Sequence, residues 1–126
     1  MSKGRKRKPF TKLLRNVKNS GSRARAMTKK RLGEYIKIEV NENDLEELWN
    51  KQSAKCFWLD ITLKLDWLYE KWHPLAPSVD RLQETKGYVK DNIVISSRLA
   101  NLGRLKYDTE KYKDVMKYVK GQINEI

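Results

Sequence analysis

Asp80, Asn92 and Asn101 are the residues whose types and spacing could do chemistry. Asp80 stands in Ser78 to Leu82, a run that can form a short strand; Asn92 opens the element after the following turn, and Asn101 lies nine residues further, in a segment with helical spacing. All three are polar where the surrounding pattern is apolar. If the turn folds the chain back, a carboxylate on a strand and an amide on a helix 21 residues later can face one cleft. Two such oxygen ligands, completed by water and a phosphate oxygen, suit Mg2+ or Mn2+ in octahedral coordination. Arg81 follows directly. Its guanidinium stays protonated, so it can grip phosphate and cannot accept a proton. His73, the single histidine, lies seven residues before Asp80 and is a candidate base.

Other chemistries fall away. One cysteine, Cys56, and one histidine exclude an internal disulfide framework and a zinc finger within the chain, so a metal would need oxygen ligands. No apolar run approaches the roughly 20 residues of a membrane span, and the N-terminus lacks the apolar core of a signal peptide. A cytoplasmic protein is expected.

Charge then divides the 126 residues. The chain has 28 Lys+Arg against 16 Asp+Glu, a formal net charge of +12. Thirteen of the cations and none of the acids fall in residues 1–33, leaving 15 cations against 16 acids beyond them. The division predicts a basic arm, 1–33, and a near-neutral domain, 34–126, with a polyanion as the partner of the arm. Lys3, Arg5, Lys6, Arg7, Lys8, Lys12, Arg15, Arg23, Arg25, Lys29, Lys30 and Arg31 are its candidate phosphate contacts, as they would be for duplex DNA. A solvated tail is the bland alternative.

The elements that must position the chemistry follow from periodicity. Residues 1–9 read as disordered, Thr11 to Lys18 as a short basic helix ended by Asn19-Ser-Gly-Ser, and Arg23 to Arg31 as a second basic stretch able to be helical. Tyr35 to Val40 alternates as a half-buried strand; Asn43-Asp-Leu-Glu reads as a capping box for a helix through Lys51. Cys56 to Ile61 reads as an aromatic-rich strand. Gly87 sits in a turn, and Ser96 or Ser97 can cap a helix carrying Leu99, Leu102 and Leu105. Tyr112, Val115, Met116, Val119 and Ile123 form the apolar stripe of a terminal helix packed on the domain. The four tryptophans read as core or its edge, and Cys56 as a buried thiol.

Taken together, Pro77-Ser-Val-Asp-Arg, Lys86-Gly-Tyr, Asp91-Asn-Ile-Val and Asn101 before Gly103-Arg104 resemble the HNH-type (His-Me finger) endonucleases found in many bacteriophages, with metal ligands like those of the endonuclease VII group. The likeness covers about positions 40–120 and rests on the motifs as a set. It implies an α+β fold, a ββα-metal finger with flanking helices and a basic, partly disordered N-terminal arm. It also implies a metal-dependent DNA endonuclease or nicking enzyme of phage or homing type, working in a bacterial or phage-infected cell. Asp80 and Asn101 would hold Mg2+ or Mn2+, and Asn92 would stabilise the loop and orient the base. Arg81, Arg98 and Arg104 would meet the phosphate backbone.

The sequence departs from that pattern at two positions. The usual general-base histidine is Arg81, and Gln83 stands where many relatives with Asp-Arg carry an acid. The base would then be His73, Glu84 or a metal-bound hydroxide. A catalytically decayed, DNA-binding or regulatory finger is the alternative, and an RNA-binding or ribosome-associated protein a third reading. Blander roles stay open: Asp80 as a turn carboxylate, His73 as a surface residue, Asn101 bonding into the hairpin. Monomer and homodimer are both compatible with the sequence.

Overall fold

A computed structural model of the protein describes residues 7–32, 37–104 and 107–124; the side chains of 22–32, 84, 123 and 124 are not among those described. Lys3, Arg5, Lys6, Tyr35, Ile36 and Leu105 lie outside the described residues, and of Arg23, Arg25, Lys29, Lys30, Arg31, Glu84 and Ile123 only the backbone is described. Within those bounds the chain is α+β, with four helices and two small two-stranded sheets.

Helix α1 runs unbroken over Pro9–Leu32, where two basic pieces separated at Gly21 were expected. The glycine marks a close approach. A Cβ at Gly21 would lie 2.5 Å from Ile38 Cδ1 and 3.6 Å from Tyr88 Cδ2, so its absence lets the helix lie against neighbouring strands. Leu13 and Val17 on the same helix are buried in the common core, so the basic segment is also a structural element of the domain. Burying each contributes about 1.5–3 kcal/mol.

Strand β1, Ile38–Glu39, is all that is described of the expected Tyr35–Val40 strand. It pairs in parallel with β3, Tyr88–Val89. Helix α2, Glu42–Lys51, starts two residues earlier than the Asn43 pattern suggested: Asn41 is the cap, and Asn41 and Asp44 bond each other's backbone N–H at 2.9 and 3.0 Å. The expected strand Cys56–Ile61 is a tight turn instead. Asp60 has φ +55 and donates its N–H to Cys56 O, while Trp58 and Cys56 fill the core from this turn. Its aromatic content reflected burial and not extended backbone.

Strand β2, Pro77–Arg81, and β4, Ile93–Ser97, form an antiparallel pair with Asp80 opposite Val94. Helix α3, Arg98–Arg104, follows β4 directly, capped by Ser97 Oγ accepting from Ala100 N. Gly87 has φ +81, and a Cβ there would meet Lys37 O at 2.4 Å, so only glycine closes the turn that brings β3 beside β1. Helix α4, Thr109–Asn124, docks by Tyr112 and Met116, whereas Val115 and Val119 of the expected stripe are exposed. Leu99 and Leu102 of α3 are exposed as well; Ala100 and Arg104 face inward. No helix among the described residues is long and apolar enough to cross a membrane.

Candidate functional site

The β2–β4 pair and α3 bring the singled-out residues into one region and divide them between two environments. Asp80 belongs to the buried one. It is 9% exposed, and its Oδ2 accepts from Trp58 Nε1 at 3.0 Å and from Arg104 Nη1 at 3.3 Å. Burial raises the Asp80 carboxyl above its ordinary 3.8; Arg104, the Trp58 hydrogen bond and the Arg81 backbone N–H pull it back down.

Arg104 was expected at the DNA backbone, but its side chain is turned inward and largely buried. Nη1 also donates to Arg81 O, and Nη2 to Leu82 O at 2.6 Å and Thr109 Oγ1 at 3.0 Å. Its guanidinium lies 5.0 Å over the Trp58 ring, which stacks edge-on with Tyr112 at 5.0 Å. Its Nε is buried without a partner among the described residues. The cluster ties β2, the aromatic turn, α3 and α4 together. Burial also raises the Tyr112 hydroxyl, with the nearby Asp80 charge adding to the effect.

This donor set does not fit a divalent ion as arranged. A metal at Asp80 would have to displace a guanidinium and an indole N–H from the same oxygen, inside a site already carrying its compensating cation. Among the described residues, no three His, Cys, Asp or Glu side chains gather closely enough to hold a metal ion. Asn101, the other expected ligand, bonds into the hairpin: Nδ2 donates to Ser78 Oγ at 2.8 Å and to Val79 O at 3.4 Å.

Asn92 is buried and clamps the turn between β2 and β4. Its Oδ1 accepts from Gln83 N at 2.9 Å, and its Nδ2 donates to Gln83 O and Gly87 O at 2.9 and 2.8 Å. That is the loop-stabilising part of its expected role. Arg81 packs its guanidinium 5.1 Å over the Tyr88 ring.

The second environment is an open groove of about 580 Å3 between α1, the segment Leu68 to Val79 and α3. Lys12, Lys71, His73, Arg98 and Asn101 line it, and neither Asp80 nor Asn92 does. His73 stacks on Trp67 at 4.6 Å, accepts at Nδ1 from Leu75 N at 3.0 Å, and presents Nε2 to Glu70 at 3.7 Å. With Nδ1 accepting, neutral His73 carries its proton on Nε2, so no lone pair is left for a substrate proton. The groove therefore has cations, neutral donors and one carboxylate, Glu70, among its described lining residues.

Arg7, Lys8 and Arg15 are exposed on or just before α1, and Lys12 is half-buried there. Trp72 was expected in the core or at its edge and is 68% exposed at the groove's mouth. Neither Trp72 nor the buried Arg104 had a signal in the sequence, since a tryptophan is ordinarily buried and an arginine ordinarily exposed. No family model matches this chain, and neither curated proteins nor solved structures yield a match.

Proposed function

We propose that this chain is a duplex-DNA-binding protein built on an HNH-like ββα finger whose metal position is taken by Arg104. The observation that carries the reading is the groove. Lys12 comes to it from α1, Lys71 from the loop before β2 and Arg98 from α3, with Asn16, Asn19, Ser20 and Ser78 as neutral partners and Glu70 as the one acid among its lining residues. Cations converging from separate elements on a polar channel suit a phosphate backbone, which attracts protein without regard to sequence. The excess charge of residues 1–33 adds to the same term. In this reading Asp80 and Arg104 hold the finger together, Asn92 sets its turn, and Arg98 meets phosphate.

A second reading, metal-dependent phosphodiester hydrolysis by an HNH-like endonuclease, has its own support. The antiparallel pair followed by a helix, with Asp80 on the strand and Asn101 on the helix above it, has the order that the resemblance implies. It requires Arg104 and Trp58 to release Asp80 first.

One experiment separates them. Labelled duplex DNA and structured RNA are titrated at matched salt, and supercoiled plasmid is incubated with Mg2+, Mn2+ or EDTA, beside Asp80→Ala and Asn101→Ala. Tight, salt-dependent duplex binding without nicking is expected. A metal-dependent nick lost in both variants would replace binding by cleavage as the function, and preference for RNA would remove DNA as the partner.

A further inference from the structure

Trp72 is the residue that the fold explains least. It sits in a turn closed by His73 N donating to Glu70 O, with φ +65, a left-handed conformation ordinarily left to glycine or asparagine. A bulky aromatic there is strained, and at 68% exposure it gains little from burial. The turn is also firmly placed. Leu99 N donates to Pro74 O and Arg98 N to Ala76 O, both at 2.8 Å, which fixes the segment against the start of α3. Arg98 lies 4.8 Å over the indole ring and Lys71 Nζ is 6.0 Å from it, and all three side chains line the groove.

An exposed ring flanked by cations at the mouth of a polar channel matches one chemistry well: an unpaired nucleotide, its base against the indole and its phosphates on the cations. We propose that Trp72, with Arg98 and Lys71, forms a stacking site for an unpaired base, so that the preferred ligand is DNA containing a single-stranded gap. The proposal rests on the DNA-binding reading and names its substrate class. A fully paired duplex buries its bases in the stack and offers Trp72 only sugar and phosphate. Leu99 and Leu102 extend the exposed apolar surface of α3, but cations over the ring favour a nucleotide over a protein partner.

The test uses the full chain, an intact fluorescein-labelled duplex, and the same duplex carrying a short gap with 2-aminopurine in its single strand. Gapped DNA should bind on the order of ten-fold tighter than intact duplex, and 2-aminopurine should be quenched on binding. Trp72→Ala should lose both effects, and Trp72→Phe should keep part of each. Trp72→Gly relieves the left-handed strain, so it should remain folded and still lose the preference, which a purely structural role for the ring would not produce. Equal affinity for the two DNAs, or an unchanged ratio in Trp72→Ala, would overturn the stacking site while leaving duplex binding in place. Failure to bind either DNA would remove the DNA-binding reading as well. A wild-type dimer that Trp72→Ala splits would reassign the surface to a second copy of the chain.

Discussion

Replacing Arg104 with methionine tests the reasoning about the buried cluster at its centre. The substitution keeps an unbranched chain to lie over Trp58 and removes the cation facing Asp80 at 3.3 Å, together with the donors to Arg81 O, Leu82 O and Thr109 Oγ1. Leaving one member of a buried ion pair uncompensated costs about 3–5 kcal/mol. The loss should depend on pH in a defined direction. Burial already raises the Asp80 carboxyl above 3.8, and Arg104 is the largest influence lowering it, so removing Arg104 raises it further. A raised folded value means that the native state holds the proton more tightly than the unfolded chain does. The associated stability is present below 3.8 and is lost as pH rises through the folded value. The variant loses more over that rise than the wild type, about 1.4 kcal/mol for each additional unit. Urea unfolding followed by tryptophan fluorescence should therefore give a difference near the full amount at about pH 7. Below pH 3.8, where Asp80 is protonated, the difference should shrink to about 1–2 kcal/mol from the orphaned carbonyls. Asp80→Asn, which keeps an oxygen for Trp58 and Arg104, should remove the wild-type slope from that range. A difference that stays constant across the range, or lies below about 1 kcal/mol throughout, would refute the ion pair as a stabilising unit.

Magnesium should leave wild-type stability unchanged beyond an ionic-strength control in a thermal melt; a preformed site at about 100 times its dissociation constant would add about 2.7 kcal/mol. Asn92→Ala removes three buried hydrogen bonds and should destabilise by about 2–4 kcal/mol in urea, with the turn around Gly87 losing amide-exchange protection first. Deleting residues 1–33 should abolish the cooperative unfolding transition, because Leu13 and Val17 leave the core, whereas deleting residues 1–6 should preserve it. Lys71→Ala with Arg98→Ala should lower the slope of log affinity against log salt for duplex DNA by about 1.8, from two lost phosphate contacts, without changing far-ultraviolet circular dichroism.

What the sequence revealed depended on whether one physical cause governed each segment. Residues Pro77–Arg81 and Thr109–Asn124 were legible as strand and helix because period and boundary residues agreed, and Ser97 capped α3 as its chemistry suggests. Cys56 to Ile61 was misleading because aromatic and branched residues fill a core equally well from a turn. Gly21 misled for a similar reason: a glycine in a helix can mean a break or a close neighbour, and only the tertiary contact with Ile38 distinguishes them. Asp80, Asn92 and Asn101 were singled out as a candidate metal site and its supporting amide, and each has tertiary hydrogen-bond partners. The identity of those partners was hidden, because Arg104 and Trp58 reach Asp80 from 24 and 22 residues away in sequence.

The division between the buried Asp80 cluster and the groove then bears directly on function. In the HNH-like reading, hydrolysis would need Asp80 and Asn101 on one metal and a base beside the same phosphate. Here Asp80 faces Trp58, Arg104 and Tyr112 in the interior, while His73 and Asn101 border the groove. A cation that arrives as a side chain cannot leave as an ion does. Withdrawing Arg104 from Asp80 would also break its bonds to β2 and to Thr109 at the start of α4. Activating Asp80 would thus require undoing the contacts that join the hairpin to both C-terminal helices. DNA binding in the groove requires no such rearrangement, since Lys12, Lys71 and Arg98 already border it. The residues that hold the Asp80–Arg104 pair and the cations that border the groove are thus separate sets, so a ligand in the groove leaves the ion pair intact.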